Sequence, residues 1–330
     1  MTAAAPARLS SLAPSADEPA VKVAAGAIEA QLAAMRAEHD RAIAGDIEPI
    51  HRLRVATRRL RAALRLLREA APGDEVESTD DELTWICGAI GAVRDLDVMA
   101  LQIEQRATRL ERDFIRALAP LSGTIRAQRA LEQERLVAAL KSERYRGLVK
   151  RLGRVAPAPT RDSVTLGAIA ARLVRPQMRA MLRAGADLDE SSPPDALHRL
   201  RVRAKKLRYA LEPLRVVGGK PARRMLRRLE RLQERVGMYH DAVSAIAWLR
   251  GWAAEAREAP PESLMAAGAL IHSLERRVRR LRTRSLRAWR HARMDELVRA
   301  LLTELNGAAA RARRSLKPPP LVLVPAARAS

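Results

Sequence analysis

Two segments of the chain combine a histidine with a row of arginines and lysines, a composition suited to holding phosphate oxygens. The first is HRLRVATRRLRAALRLL at 51–67, and the second is HRLRVRAKKLRYALEPL at 198–214. Arginine offers planar, fork-shaped donors and lysine a compact charge, and both contact phosphate in proteins. Histidine adds a charge that depends on pH. Nearby arginines should lower its pKa, whereas bound phosphate should favour its protonated form. We therefore expect affinity for a phosphate polymer to fall modestly between about pH 6 and about pH 8.

The basic positions form a line when each segment is wound as a helix. At 100° per residue, the line of the first segment occupies an arc of about 80° and is roughly 21 Å long. Leucines and alanines occupy the opposite face, where a core-facing helix needs them. Arg59 and Lys206 are also repeated but lie about 80° off the line. The line consists of His51, Arg54, Arg58, Arg61 and Arg65 in the first segment, and of His198, Arg201, Lys205 and Arg208 in the second.

A second repeated motif follows each basic segment. It reads GAIGAVRDLDVMAL at 88–101 and RVGMYHDAVSAIAWL at 235–249, which aligns Gly91 with Gly237 and Asp95 with Asp241. One hypothesis is that each aspartate orients an arginine or histidine of the basic helix, as outer carboxylates orient metal ligands. A local salt bridge without a binding role explains the same pattern.

Two further segments carry arginines on one helical face. They are ARLVRPQMRAMLRAG at 171–185 and LERRVRRLRTRSLRAWR at 274–290. Like charges at i and i+4 repel each other on a helix, so we expect a polyanion to neutralise these faces as well. The candidate binding residues in these segments are Arg175, Arg179, Arg276 and Arg280.

Almost every long segment has helical periodicity, and no segment is persuasive as a strand. The breaks leave four helices in each half, predicted over 20–44, 49–70, 80–116 and 119–153, then over 164–185, 195–215, 220–256 and 261–306. The sequence thus predicts an all-α protein with two related halves, at about 20–154 and about 164–305. Residues 1–19 are expected to be a disordered tail and 306–330 a flexible one.

The composition favours an anionic partner. The formal net charge is +23 and the pI is about 11.4. Cys87 is the only cysteine, so no intrachain disulfide can form and a reducing compartment is expected. The N-terminal segment lacks the apolar region of a signal peptide, and no apolar run reaches the roughly 18 residues of a membrane span. These features predict a cytoplasmic protein without membrane insertion.

The two pairs of motifs resemble the CHAD family, the conserved histidine α-helical domain. The resemblance covers about 20–305 and includes SERYRGLVKRL at 142–152. It implies two pseudo-symmetric four-helix bundles with basic helices lining a shared central cleft or channel. It also implies binding of inorganic polyphosphate and association with polyphosphate granules. The implied binding residues are His51, Arg54, Arg58, Arg61, His198, Arg201, Lys205 and Arg208.

No catalytic role or cofactor is expected. Some family members carry a CYTH triphosphate-processing domain, but EQERL at 132–136 lacks the lysine of its ExExK signature. The basic faces lack paired carboxylates for acid–base chemistry, and no other ligand type stands at metal spacing from His51 or His198. Histidine-dependent phosphotransfer and metal binding are therefore the weaker alternatives.

Nonspecific binding of nucleic acid is the main alternative, because any phosphate polymer is attracted by a line of cations. Aromatic residues make up 2% of the chain, and Tyr209 is the only one in the basic motifs, so platforms for stacking bases are scarce. A basic amphipathic helix can also lie on an anionic membrane. Here the apolar faces are more simply explained as bundle cores.

Overall fold

The computed structural model describes residues 15–108, 111–154 and 164–315, and within these ranges the protein is all-α, as predicted. None of the helices there is long and apolar enough to cross a membrane. The eleven helices of the described ranges are α1 (Ala20–Ile43), α2 (Ile47–Ala70), α3 (Asp74–Ala107), α4 (Arg112–Ala117), α5 (Ala119–Lys141), α6 (Glu143–Leu152), α7 (Leu166–Gly185), α8 (Pro194–Leu211), α9 (Gly219–Glu255), α10 (Pro261–Arg290) and α11 (Met294–Ser315).

The two halves repeat one packing order. In the first half α1 packs along α2, α2 on α3, and α3 on α5, while α6 contacts α3 and α1. In the second half α7 packs on α8, α8 on α9, and α9 on α10, while α11 contacts α7 and α9. The halves meet where α2 contacts α8 and α3 contacts α9. The two basic helices, α2 and α8, therefore lie against each other at the junction.

The apolar face of each basic helix is buried as its periodicity predicts. On α2 the leucines at 53, 60, 64 and 67 are almost fully buried, and on α8 Leu200, Leu207 and Leu211 are buried. Burying a leucine side chain is worth about 2 kcal/mol in transfer free energy. These contacts fix the rotation of α2 and α8, so that the cationic faces turn away from the cores.

The fourth predicted helix of each half is broken in two. In the first half the break is at Ser142, whose hydroxyl accepts a hydrogen bond from the Tyr145 N–H at 3.1 Å and so begins a new helix. In the second half the break follows Arg290, and Arg293 has the left-handed φ of 47°. The sequence predicted one continuous helix at each of these two places. Both predictions were wrong, because neither break has a proline or glycine to mark it.

Other boundaries also differ from the prediction, and the helix predicted over 80–116 is divided into α3 and α4. The helix α3 starts at Asp74 inside the predicted break, with acidic residues in its first turn where the helix dipole favours them. The predicted C-terminal tail begins as helix, because Leu305, Ala308 and Ala312 continue the buried stripe of α11. Residues 316–330 lie outside the described part of the chain.

At the other end, the carbonyl oxygens of Ala16 and Glu18 accept hydrogen bonds from the start of α7, whereas residues 1–14 are not described.

Candidate functional site

Arg54 is fixed against α3 by a glycine and an aspartate. Its Nη1 atom donates a hydrogen bond of 3.0 Å to the carbonyl oxygen of Gly91 and lies 3.1 Å from Asp95 Oδ1. A Cβ atom at position 91 would lie 3.1 Å from Arg54 Nη1, so a glycine there gives the guanidinium its place. The side chain is 19% exposed, and burial lowers the pKa of Arg54.

Arg201 repeats this arrangement on α9. Its Nη2 atom lies 3.7 Å from Asp241 Oδ1, and a Cβ at Gly237 would lie 3.6 Å from its Nε. Burial lowers the pKa of Arg201 and raises that of Asp241. The aligned glycines and aspartates of the sequence thus form an arginine clamp in each half. The clamp of Arg201 is the looser one, because within the described chain its Nε has no hydrogen-bond partner. Whether Asp95 and Asp241 support ligand binding stays a prediction.

Arg58 and Lys205 lie between the two clamps. Lys205 is surrounded by Arg201 on its own helix, by Arg58 and Arg54 of α2, and by Asp241 of α9. Burial, and then the charges of Arg201, Arg58 and Arg54, lower the pKa of Lys205 to about 7. Neither Arg58 nor Lys205 forms an ion pair with the described part of the chain. We call the group consisting of Arg54, Arg58, Arg201, Lys205, Asp95 and Asp241 the central cluster.

Three histidines lie near cations of the central cluster, and one of them, His240, was not predicted. His198 Nδ1 lies 3.0 Å from His240 Nδ1, a contact in which one nitrogen must donate and the other accept. Burial, followed by the charges of His198 and Arg201, lowers the pKa of His240 to about 4. Burial also lowers the pKa of His198 and of His51, whose next largest cause is Arg94. His240 aligns with Arg94 in the repeated motif, next to Asp241, and this was the signal in the sequence that could have identified it.

Further along the basic faces of α2 and α8, arginines form ion pairs with carboxylates. Arg61 donates to both Asp80 oxygens, at 2.7 and 3.3 Å, and this pairing raises its pKa. Glu212 is approached by Arg208 at 3.6 Å and, from the other half, by Arg59 at 3.9 Å. Burial raises the pKa of Glu212 despite both arginines.

Arg65 and Lys206 complete this part of the junction. Burial lowers the pKa of Arg65. It also lowers the pKa of Lys206, with further contributions from Arg203, Arg65 and Arg61. Lys206 of α8 therefore lies near the end of the α2 line. Asp80 and Glu212 pair with Arg61, Arg208 and Arg59 here, whereas Arg65 and Lys206 form no ion pair within the described ranges.

The remaining four predicted residues lie away from the central cluster. Arg175 and Arg179 line a cavity between α7 and α11. Arg276 and Arg280 are exposed on α10, opposite the buried Leu270 and Leu274. Their role in binding stays a prediction.

The described residues contain no group of three or more His, Cys, Asp or Glu side chains that could hold a metal ion. The central cluster instead contains a set of hydrogen-bond donors from two helices. Some of these donors are held in a fixed orientation before a ligand binds. Such a set suits a ligand made of anionic oxygen acceptors.

Comparison with known proteins agrees with the fold and the repeated motifs. A family model, the CHAD domain, matches residues 26–250. The crystal structure of the CHAD domain from the plant Ricinus communis superposes with a TM-score of 0.66 at 24% identity, covering 90% of this chain and 96% of that one. PptA from Streptomyces chartreusis gives a TM-score of 0.65 at 20% identity, covering 83% of this chain and 100% of that one. At these identities the likeness is one of fold.

Two curated relatives are uncharacterized proteins of Mycobacterium tuberculosis, from strains CDC 1551 and H37Rv. Each is 29% identical over 180 residues, which is 52% of this chain and 35% of the relative. The match thus spans about a third of the length of these relatives. The family model covers well over half of the chain, and its match includes both basic helices and both glycine–aspartate motifs. The chain belongs to the CHAD domain family.

Proposed function

We propose that the protein binds inorganic polyphosphate in the central cluster. The observation that carries the proposal is that Arg58 and Lys205 converge from the two halves, between the two clamped arginines. Neither of them has a carboxylate partner among the described residues. Four cations there face two aspartates. Burial, and then the repulsion between these cations, lowers the pKa of Lys205, and an anionic ligand would relieve the repulsion.

Polyphosphate has the chemistry that this site can recognise. It is a flexible polymer of oxygen acceptors with about one charge per phosphate, so it needs many donors and no shaped pocket. Clamping Arg54 against Gly91 and Asp95 fixes its rotamer before the ligand arrives, which reduces the entropy cost of binding. The role we propose is binding and not catalysis, in the cytoplasm and on polyphosphate granules.

Duplex or single-stranded nucleic acid is the competing ligand. Tyr209, the aromatic residue of the basic motifs, is 9% exposed and has the Arg208 guanidinium over its ring at 4.9 Å. It therefore presents no free face for a base to stack on. This favours a phosphate polymer without bases.

The test is a calorimetric titration at about 0.15 M salt with long-chain polyphosphate and, separately, with duplex DNA of equal total phosphate. The cluster variant replaces Arg54, Arg58, Arg201 and Lys205 with Gln. A control of equal charge replaces Arg112, Arg126, Lys150 and Arg257, which are exposed and form no ion pair within the described ranges. Circular dichroism establishes that both variants are folded.

We expect tight polyphosphate binding and much weaker DNA binding by the unmodified protein. The cluster variant should lose at least about a hundredfold in polyphosphate affinity, since it loses four charge-assisted contacts. The control should stay within about threefold, because exposed charges contribute little individually. Equal affinity for both polymers, or an equal loss in both variants, would contradict the proposal.

A further inference from the structure

A second cationic surface lies apart from the central cluster, along α7. A cavity of about 610 Å³ between α7 and α11 is lined by Arg172, Arg175, Arg179, Arg183 and Arg313. A second cavity of about 430 Å³ shares Arg183 and adds Arg290 and Arg293. The two cavities are adjacent at Arg183, and together we call them the α7 groove.

The charge of the α7 groove is largely uncompensated. Arg172 pairs with Glu69 and Arg293 with Glu296, and Arg175 donates to Asn306 at 3.3 Å. In contrast, Arg179, Arg183, Arg290 and Arg313 have no acidic partner within the described ranges. The only acid that lines either cavity is Asp295. Holding four like charges along the α7 groove costs stability unless an anion neutralises them.

The α7 groove has no counterpart in the first half of the internal repeat. The helix α7 carries four arginines and no acid, whereas its counterpart α1 carries Lys22, Arg36 and Arg41 balanced by Glu29, Glu38 and Asp40. In addition, the α11 wall lies beyond the residues that the family model matches. The groove is therefore a feature of this chain's second half.

The groove begins where the cation line of α2 ends. Arg172 donates through Nε to Glu69 Oε2 at 2.8 Å and through Nη2 to the Glu69 carbonyl oxygen at 2.9 Å. Glu69 lies one helical turn beyond Arg65, the last cation of that line, and Arg172 neutralises its charge. From Arg172 to Arg183 the α7 wall extends the path by roughly 16 Å.

The groove has one aromatic side chain in its lining, and that side chain is hydrogen-bonded to α7. Trp289 lines the second cavity, but its Nε1 donates to the Gly185 carbonyl oxygen at 2.7 Å. A Cβ at position 185 would lie 2.0 Å from Trp289 Cζ2, so the ring packs directly against the backbone of α7. The remaining groups in contact with a ligand would be guanidinium donors, which suit phosphate oxygens.

We propose that the α7 groove is a second binding segment, which takes the part of a long polyphosphate chain that leaves the central cluster past Arg65 and Arg172. The proposal rests on polyphosphate as the ligand of the central cluster. It predicts that the contribution of the α7 groove to affinity depends on polymer length, because a short chain held in the central cluster does not reach Arg179.

The test compares long-chain polyphosphate, tripolyphosphate and duplex DNA by calorimetry across a range of salt concentrations. The groove variant is Arg179→Gln/Arg183→Gln/Arg313→Gln, and its control of equal charge is Arg112→Gln/Arg126→Gln/Arg257→Gln. All six side chains are exposed and without an ion pair in the described chain, so both variants should fold. Thermal melts verify this.

We expect the groove variant to bind long-chain polyphosphate roughly tenfold more weakly than the control, with a shallower salt dependence because fewer phosphates are neutralised. Its tripolyphosphate affinity should equal that of the control. Equal long-chain affinities in the two variants would overturn the proposal, and so would an equal loss for both ligands. A selective loss of duplex DNA binding would instead make the groove a nucleic-acid site. If the unmodified protein binds neither polyphosphate, the proposed function itself fails, which is a distinct result.

Discussion

Lys205 is the residue at which the two halves of the protein act on each other most strongly. Its pKa of about 7 results from burial and from Arg201, Arg58 and Arg54. The sequence suggested that histidines would confer pH dependence. In the structure the pKa of His51 and of His198 is lowered, and that of His240 is about 4, so all three become mainly neutral at neutral pH. Among the basic side chains of the central cluster, Lys205 is the one whose pKa is lowered to about 7.

The first prediction concerns the pH dependence of binding. Lys205 is charged below about pH 7 and neutral above it, and a bound polyanion favours the charged form. Affinity should therefore fall as the pH rises from 6 to 8, with proton uptake on binding at the upper end. In Lys205→Arg, whose charge persists, the dependence should largely disappear. Titrations in buffers of different ionisation enthalpy measure both quantities, and an unchanged slope in Lys205→Arg would assign the pH dependence to another group.

A second prediction concerns the stability of the unliganded protein. The folded-state pKa of Lys205 lies below its ordinary value, so the unfolded chain binds more protons between about pH 7 and about pH 10. The resulting penalty is absent at high pH and complete below pH 7. Lys205→Gln should consequently raise the melting temperature by a few degrees at pH 6 while weakening polyphosphate binding. A lowered melting temperature would show that the ammonium group stabilises the fold.

The two clamp glycines give a third prediction, because they leave different amounts of space. A Cβ at Gly91 would lie 3.1 Å from Arg54 Nη1, whereas a Cβ at Gly237 would lie 3.6 Å from Arg201 Nε, an ordinary contact. Gly91→Ala should displace the Arg54 guanidinium and weaken binding by roughly tenfold, about 1.4 kcal/mol. Gly237→Ala should bind nearly as tightly as the unmodified protein. Equal affinities for the two variants would mean that the clamp geometry does not matter for binding.

At the scale of helices, a buried ion pair holds the first half together. Asp97 on α3 has a side chain only 1% exposed and accepts from Arg129 Nε of α5 at 2.6 Å, and Arg129 also donates to the Gly45 carbonyl oxygen. The aligned position in the second half is Val243, so the pair is not part of the repeat. It connects α3, α5 and the turn between α1 and α2, and Asp97 also lies 3.9 Å from Arg94 of its own helix.

Removing one partner of this pair tests its structural role and gives a fourth prediction. Asp97→Ala leaves Arg129 without its carboxylate and should reduce the free energy of unfolding by about 3 kcal/mol. Polyphosphate affinity of the folded fraction should remain unchanged. Chemical denaturation and calorimetry measure the two effects separately. A loss of affinity at full folding would connect Asp97 with the binding site.

From the sequence, the presence of the helices could be predicted better than the residues at which they begin and end. The faces of α2 and α8 follow directly from periodicity, since one side is leucine-rich and the other is basic. The breaks at Ser142 and after Arg290 carry only a weak signal, because a serine N-cap and a left-handed arginine resemble ordinary helix residues in a sequence. The continuation of α11 was missed because alanines such as Ala308 and Ala312 reveal their burial only against α7.

The site was predictable to the extent that it repeats. Arg54, Arg201, Asp95 and Asp241 could be aligned in the sequence, and the structure brings each arginine to its aspartate. The contacts between halves could not be deduced. The approach of Arg59 to Glu212 and the effect of Arg58 on Lys205 depend on how α2 meets α8, which no local pattern encodes. The pairing of His198 with His240 depends likewise on the packing of α8 against α9.

At the scale of the whole molecule, the repeat makes one site from two half-sites. The helices α2 and α8 come from different halves, and their cations lie close enough to shift each other's pKa. One polyphosphate chain should therefore contact both halves in a single binding event. Two separate sites would have left Lys205 outside the influence of Arg54 and Arg58.

The measurement that tests this account most directly is the stoichiometry of polyphosphate binding in Arg58→Gln, Lys205→Gln and the double variant. The ligand is a chain long enough to span the central cluster, and the readout is calorimetric. A shared site predicts one binding event per protein in every case, with affinity reduced by either single substitution and reduced further in the double variant. Two binding events in the unmodified protein, of which each substitution removes one and leaves the other at full strength, would contradict the shared site.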